Sequence, residues 1–115
     1  MAGEPSWFEI GSGDVAQGQT FYGALFGWTF EDAGAGGVIR TPGLPGGMHG
    51  GDAGGGPYLF FAVNDLEAAV ERVKALGGEI EEAQGASGEP TPYGRFVMCR
   101  DDQGSAFGLH EPAAD

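Results

Sequence analysis

The fold is decided by two stretches of equal length: residues 7–31, WFEIGSGDVAQGQTFYGALFGWTFE, and residues 58–82, YLFFAVNDLEAAVERVKALGGEIEE. They align without a gap at an offset of 51 residues (58 − 7 = 51), so that Asp14 meets Asp65. Positions with the same structural role recur while surface positions differ, which is typical of a duplicated supersecondary unit. The chain is therefore predicted to contain two copies of one unit.

Short aromatic and β-branched runs open each copy and predict strands at residues 7–11 and 58–63. Each copy is predicted to continue with a helix, and after that helix the chain has room for three more strands joined by tight turns. They are predicted near residues 28–32, 37–41 and 46–50, and near residues 79–82, 93–100 and 105–111. We therefore predict an α+β fold of two tandem βαβββ modules within a single domain of residues 1–115. Module one spans about 6–50 and module two about 58–111, with a connector at 51–57 that needs no structure of its own.

The helix starts are predicted from capping boxes, in which a short polar side chain is followed three residues later by Glu or Gln. Asp14 with Gln17 has this spacing in the first copy. Asn64 with Glu67 has it in the second. A glycine follows each helical stretch, as is typical of a helix C-terminus.

The charge balance excludes some partners. Seventeen acidic residues and five basic ones give a formal net charge of −12. Such a surface repels nucleic-acid phosphates and anionic membranes but attracts cationic ligands. The chain has no apolar run of roughly 18 residues and no secretory signal pattern, so we expect a cytoplasmic protein. The single cysteine, Cys99, is expected to be a small buried hydrophobe.

Three segments resemble the vicinal-oxygen-chelate superfamily, which includes glyoxalases, bleomycin-resistance proteins and dioxygenases. They are SGDVAQGQTFYGALFGW (12–28), PYLFFAVNDLEAAVERVKALGGEI (57–80) and GRFVMCRDDQGSAFGL (94–109). In the last, Asp102 stands where the family more often has proline. The resemblance implies a small single-domain member whose curved mixed sheets form a cup, with the helices on the convex side. It also implies a homodimer, domain-swapped or not.

The resemblance further implies where a metal would be held, with one ligand on the first strand and one on the last strand of each module. The matching positions here are Trp7, Gly47, Tyr58 and Gly108. None of these is a usual metal ligand, because glycine has no side chain, indole offers only a donor and neutral tyrosine binds metals poorly. We therefore expect no metal and no other cofactor.

A displaced metal site is the alternative. The residues two positions further along each strand from these four point to the same face of the sheet. They are Glu9, His49, Phe60 and His110, and all four would lie on the concave side. Two histidines and a carboxylate form a known open triad for iron or zinc.

Alternation of side chains assigns the faces of the first strand. Trp7 and Glu9 share one side, and Phe8 and Ile10 share the other. By the resemblance, the first pair faces the cup and the second packs against a helix. The predicted ligand-binding residues are Trp7, Glu9, Met48, Tyr58, Phe60 and His110. Glu9 is the candidate catalytic residue.

Two functions remain open. One is metal-independent binding of a small aromatic or cationic natural product, like the drug-sequestering, antibiotic-resistance members of the superfamily. The other is an enzyme, namely a lyase, isomerase or dioxygenase, that uses the displaced triad or metal-free acid–base chemistry centred on Glu9. A degenerate member retained for a protein contact is a third possibility.

The first testable prediction concerns metal content. We expect the purified protein to hold much less than one equivalent of zinc, iron, manganese or nickel, because the four positions that hold the metal in the family lack the usual metal-binding side chains here. Elemental analysis measures this directly. A stoichiometric metal that is lost when His49 and His110 are replaced would contradict the prediction.

Overall fold

The computed structural model describes residues 3–33, 36–81 and 86–113. In chain order its elements are β1 (Pro5–Gly11), α1 (Val15–Phe26), β2 (Thr29–Ala33), β3 (Gly36–Arg40), β4 (Gly46–His49), β5 (Tyr58–Ala62), α2 (Leu66–Ala75), β6 (Glu79–Glu81), β7 (Gly94–Arg100) and β8 (Ala106–Pro112). This order is βαβββ twice, so the predicted α+β fold class is confirmed. Glu82, predicted to end a strand, lies outside the described residues.

The chain divides into two compact units. The first unit comprises residues 7–58, and the second unit comprises residues 59–115 together with residues 1–6. The amino-terminal residues join the second unit through the backbone, because the N–H of Gly3 donates to the carbonyl of Ala62 over 2.7 Å. In the described part of the chain, neither helix is long and apolar enough to cross a bilayer.

In the first unit the strands lie in the order β2-β3-β4-β1, and β1 runs parallel to β4. Phe8 and Ile10 lie on the face that packs against α1, as the alternation predicts. The core contains Ile10, Ile39 and Met48, with Phe8, Val15, Tyr22, Trp28 and Phe30 packed around them.

Met48 corrects one expectation from the sequence, which placed it among the ligand-binding residues. It pairs with Ile10 across the two parallel strands and therefore shares the helix-packing face. The side chain is fully buried, and a Cβ added at Gly18 of α1 would stand 2.8 Å from its sulfur. Met48 thus belongs to the core, and Gly18 allows α1 to approach it closely.

The second unit repeats the arrangement in the order β5-β8-β7-β6, with β5 parallel to β8. Its buried core contains Leu66, Val97, Cys99 and Leu109. Cys99 is fully buried, as predicted, and burial together with the charge of Glu81 raises the pKa of its thiol to about 11. Such a thiol is chemically inert at neutral pH.

Both helices begin at an aspartate. The Asp14 carboxylate accepts the backbone N–H of Gln17 over 3.0 Å, as the capping box predicts. In α2, Asp65 does the same for the N–H of Ala68 over 3.1 Å, so the prediction that Asn64 begins this helix was wrong by one residue. The cap lies where the repeat places the equivalent of Asp14. Gly27 ends α1 in the left-handed conformation, at a φ of 75°.

The second prediction tests this cap. Asp65→Ala should lower the free energy of unfolding by about 1 kcal/mol, because the N–H of Ala68 loses its acceptor. Asp65→Ser should keep most of the stability, since serine also caps helices well. Urea titration measures both variants, and equal losses in the two would contradict a capping role.

Candidate functional site

The first unit carries a connected row of polar side chains. The Glu9 Oε2 atom lies 2.8 Å from Nδ1 of His49, whose Nε2 atom lies 2.9 Å from Oδ2 of Asp52. The hydroxyl of Tyr58 donates to the same Asp52 oxygen over 3.1 Å. Trp7 Nε1–H donates to the other Glu9 oxygen, Oε1, over 3.1 Å. We call Glu9, His49, Asp52 and Tyr58 the carboxylate–imidazole cluster.

The register of β1 and β4 brings Glu9 and His49 together. Glu9 pairs with Gly47, and Gly11 pairs with His49, so these positions share one face of the sheet. A Cβ at Gly47 would overlap the Glu9 carboxylate, and a Cβ at Gly11 would overlap Asp52. Two glycines therefore provide the space that two carboxylates occupy.

The cluster favours a protonated imidazole. Both ring nitrogens of His49 face carboxylate oxygens, and only the doubly protonated ring can donate to both. Burial is the largest single influence and lowers the pKa of His49, but the hydrogen bonds and charges of Glu9 and Asp52 together raise it above 6.5. The hydrogen bond from His49 in turn lowers the pKa of Asp52 below 3.8, against the effect of burial. The His49 side chain is 36% exposed, so a small molecule can reach the cluster.

The remaining predicted ligand-binding residues are buried. Glu9 and Tyr58 lie in the cluster and are partly exposed, whereas Trp7, Phe60 and His110 are only 6%, 3% and 5% exposed. These three side chains offer almost no surface for stacking. The rings of Trp7, Phe60 and His110, which the sequence places among the ligand-binding residues, are thus largely covered by the protein's own packing.

His110 is held by hydrogen bonds in the second unit. Its Nδ1 atom lies 2.8 Å from the hydroxyl oxygen of Ser6, and its Nε2 atom lies 2.8 Å from the carbonyl oxygen of Tyr93. The ring stacks on Phe96 at 4.5 Å, and Phe60 meets Phe96 edge-on at 5.5 Å. Burial lowers the pKa of His110 below 6.5, although the bond to Tyr93 opposes this. A neutral ring that donates from Nε2 and accepts at Nδ1 satisfies both contacts.

The inherited metal positions do not fit a divalent cation. The space for a side chain at Gly47 is taken by the Glu9 carboxylate, and the space at Gly108 is taken by the Phe60 ring. Trp7 and Tyr58 offer an indole and a phenol, and both already donate hydrogen bonds to carboxylates. The absence of a bound metal in the purified protein stays a prediction.

The displaced triad is brought together only in part. Glu9 and His49 are in contact, whereas both nitrogens of His110 are engaged by Ser6 and Tyr93. Within residues 3–33, 36–81 and 86–113, no three His, Cys, Asp or Glu side chains are arranged to hold a metal ion.

Asp52 is the site residue that sequence reasoning missed, because it falls in the connector that was expected to need no structure. Its N–H donates to the carbonyl of Ser12, and its own carbonyl accepts the N–H of Gly55, both over 3.0 Å. The available signal was a carboxylate three residues after His49 in the sequence HGGD. There Gly51, at a φ of 69°, allows the chain to turn back.

Curated proteins of similar sequence are known, although no family model matches the chain. DauV of Streptomyces sp. (strain C5), named as an anthracycline biosynthesis protein, is 33% identical over an alignment 135 positions long. The alignment covers 93% of this chain and 46% of DauV. CFP32 of Mycobacterium tuberculosis, named as a candidate glyoxylase, is 31% identical over an alignment 128 positions long. The alignment covers 93% of this chain and 45% of CFP32. The chain thus spans about half the length of these relatives.

Solved structures share the fold. Methylmalonyl-CoA epimerase from Mycobacterium tuberculosis matches with a TM-score of 0.65 at 18% identity, over 96% of this chain and 89% of that one. A catechol 2,3-dioxygenase matches with a TM-score of 0.64 at 13% identity, over 96% of this chain and 42% of that one. Together with the curated relatives and the two βαβββ units, these matches show that the chain has the fold of the vicinal-oxygen-chelate superfamily, which its sequence resembles.

The third prediction concerns pH. Because the pKa of His49 is raised on folding, its contribution to stability is present below pH 6.5 and is lost as the pH rises through the folded-state pKa. The stability difference between the wild type and His49→Gln should therefore be larger at about pH 6 than at about pH 9. For His110, whose pKa is lowered, His110→Gln should show the opposite trend. Urea titrations at both pH values measure this, and a difference for His49→Gln that does not change with pH would contradict it.

Proposed function

We propose that the protein binds a small organic cation, without a metal, at the carboxylate–imidazole cluster. One observation carries the proposal: the carboxylates of Glu9 and Asp52 approach a single imidazole from its two nitrogens. The negative charges of Glu9 and Asp52 therefore lie on either side of the imidazole of His49, which is partly exposed to solvent. Sequestration of a natural product in the cytoplasm, and thereby resistance to it, is the biological role that we attach to this binding.

The charges of the cluster define the ligand. Protonated His49 offsets one of the two carboxylates, and neutral His49 offsets neither. A ligand cation can take the place of the proton, in which case binding and protonation of His49 compete. The net charge of −12 raises the concentration of cations near the protein and so supports the same ligand class.

The rings of the cluster favour a flat ligand. The rings of His49 and Tyr58 lie 6.4 Å apart at an interplanar angle of 20°, so they are close to parallel. An aromatic face attracts a cation placed over it by about 0.5–2 kcal/mol. DauV and DnrV, the relatives named as anthracycline biosynthesis proteins, support a multi-ring aromatic ligand, since anthracyclines have a flat fused-ring core.

Acid–base catalysis is the second candidate. It is favoured by the partly exposed imidazole of His49, whose pKa lies above 6.5 and which Glu9 orients through Nδ1. The fold also occurs in an epimerase and a dioxygenase, but a shared fold does not establish a shared reaction. We prefer binding because both nitrogens of His49 are already engaged by carboxylates, so a proton transfer to substrate must first break one of these bonds.

The fourth prediction tests the binding site with 9-aminoacridine, a planar aromatic cation. Glu9→Gln and Asp52→Asn should each weaken its binding at least about tenfold, which is about 1.4 kcal/mol, because each removes one charge from the site. Wild-type affinity should rise from about pH 6 to about pH 8.5 as His49 loses its competing proton. Isothermal titration calorimetry measures both effects.

Asp102→Asn is the matched control, because it removes the same charge from an exposed turn of the second unit. It should leave the affinity nearly unchanged. Equal weakening in all three variants would show attraction by net charge alone and would overturn the proposed site. Anthracene-9-carboxylate, which is planar but anionic, should not bind.

A further inference from the structure

The second unit pairs a serine hydroxyl with an imidazole. The Oγ atom of Ser6 lies 2.8 Å from Nδ1 of His110, and Nε2 of His110 lies 2.8 Å from the carbonyl oxygen of Tyr93. A carbonyl oxygen only accepts, so Nε2 carries a proton and donates it. Burial lowers the pKa of His110 below 6.5, so the ring is neutral at pH 7 and its Nδ1 atom is an acceptor. The Ser6 hydroxyl therefore donates to His110.

This order of contacts is the one that activates a hydroxyl for nucleophilic attack. A serine is a weak nucleophile by itself, and it is activated by a base at about 2.6–3.2 Å that a third group orients. Here the base is His110 and the third group is the carbonyl of Tyr93. Neither Ser6 nor this carbonyl has a role in the cation binding proposed above, so the arrangement points to a separate activity.

Hydrogen bonds to the backbone fix the groups on both sides of the imidazole. On one side, the N–H of Ala62 donates to the carbonyl of Glu4 over 2.8 Å, which holds the chain two residues before Ser6. On the other side, the hydroxyl oxygen of Thr91 accepts the N–H of Tyr93 over 3.1 Å, in the turn before β7. The hydroxyl, the imidazole and the carbonyl are thus held in alignment before any substrate arrives, which favours catalysis.

The ring of Phe96 stabilises the charge that His110 gains when it takes the serine proton. Phe96 and His110 are partners across β7 and β8, and their rings are parallel within 2° at 4.5 Å. An aromatic face attracts a cation placed over it, and most strongly where water is excluded. Water is largely excluded here, because His110 is 5% exposed and Phe96 is 8% exposed. The hydrogen bond to the Tyr93 carbonyl also becomes stronger when the ring is charged.

We propose that Ser6 is an acyl-accepting nucleophile with His110 as its general base, and that the second unit hydrolyses small aryl esters. Ser6 is partly exposed, so an ester can reach its hydroxyl while the base stays buried. The third group is a neutral carbonyl rather than a carboxylate, which suits esters whose leaving group is a phenol. The exposed Glu4 nearby in the sequence and the net charge of −12 favour an uncharged or cationic substrate over an anionic one.

The reaction has two steps, in which His110 first accepts and then returns a proton. In the first step the Ser6 oxygen bonds to the acyl carbon while Nδ1 of His110 takes the hydroxyl proton. The bond from the acyl carbon to the aryl oxygen then breaks, and the departing phenol takes the proton from Nδ1. In the second step water attacks the acyl-serine ester and gives a proton to Nδ1, which passes it to the Ser6 oxygen as the acid leaves. One ester and one water thus give one phenol and one carboxylic acid.

The fifth prediction uses p-nitrophenyl acetate, an uncharged aryl ester. The wild type should release p-nitrophenolate and carry an acetyl group on Ser6, which mass spectrometry of the acid-quenched protein locates. Ser6→Ala should lose that acetyl group, and His110→Gln should slow its formation at least about a hundredfold, because the general base is removed. Ser12→Ala is the matched control, since the Ser12 hydroxyl donates to the carbonyl of His49 over 3.0 Å and not to an imidazole. It should leave the acetylation of Ser6 unchanged.

A pair of cysteine variants tests the base without removing it. Ser6→Cys places a thiol beside His110, and iodoacetamide should alkylate it at least about tenfold faster at neutral pH than the thiol of Ser12→Cys, because a neighbouring imidazole promotes thiolate formation. Cys99, which is fully buried with a thiol pKa of about 11, is the slow internal reference. The thermal midpoint of each variant shows that it is folded.

Three results would each overturn the proposal. They are a wild type acetylated only at other groups such as Lys74, an unchanged rate in folded His110→Gln, and equal alkylation of the two cysteine variants. Any of them would leave cation binding at the carboxylate–imidazole cluster untouched, since Ser6 and His110 are not part of that cluster.

Discussion

The placement of the Glu9 carboxylate over Gly47 is the contact on which the rest of the site depends. In the parallel pair of β1 and β4, Gly47 lies beside Glu9, and the Glu9 carboxylate occupies the space where a side chain at position 47 would stand. The second unit makes the same exchange, with the Phe60 ring over Gly108 of the adjacent parallel strand. One unit thereby gains a polar site that reaches His49, and the other gains an aromatic stack that encloses His110. The duplicated frame is conserved between the halves, while the chemistry on it differs.

Much of this frame could be predicted from the sequence because it depends on local rules. The capping interaction of Asp14 and the opposite faces of Phe8 and Glu9 follow from patterns within a few residues. The duplication adds a second source of information. It aligns Asp65 with Asp14 and so marks the helix start that the capping-box pattern placed at Asn64.

The rest of the site depends on how deeply each side chain is buried and on which distant residues come into contact. The periodicity of a sequence does not give either of these. Alternation places Trp7 and Phe60 on a face but does not say whether their rings remain open or are covered. Asp52 was missed because the contact between its side chain and His49 forms across a glycine turn, and a turn has no repeating pattern of side chains in the sequence. Met48 was misplaced because moving one position along a strand reverses the face, which only the register with Ile10 decides.

Cys99 has a practical consequence for studying this molecule. It is the single cysteine of the chain, it is fully buried, and its pKa of about 11 leaves only roughly one thiol in ten thousand ionised at neutral pH. A maleimide or spin-label reagent will therefore react with a cysteine engineered at the surface long before it reaches position 99. Fluorescent or paramagnetic labels can be attached at chosen sites in the natural background, without first removing a core residue and the packing it provides.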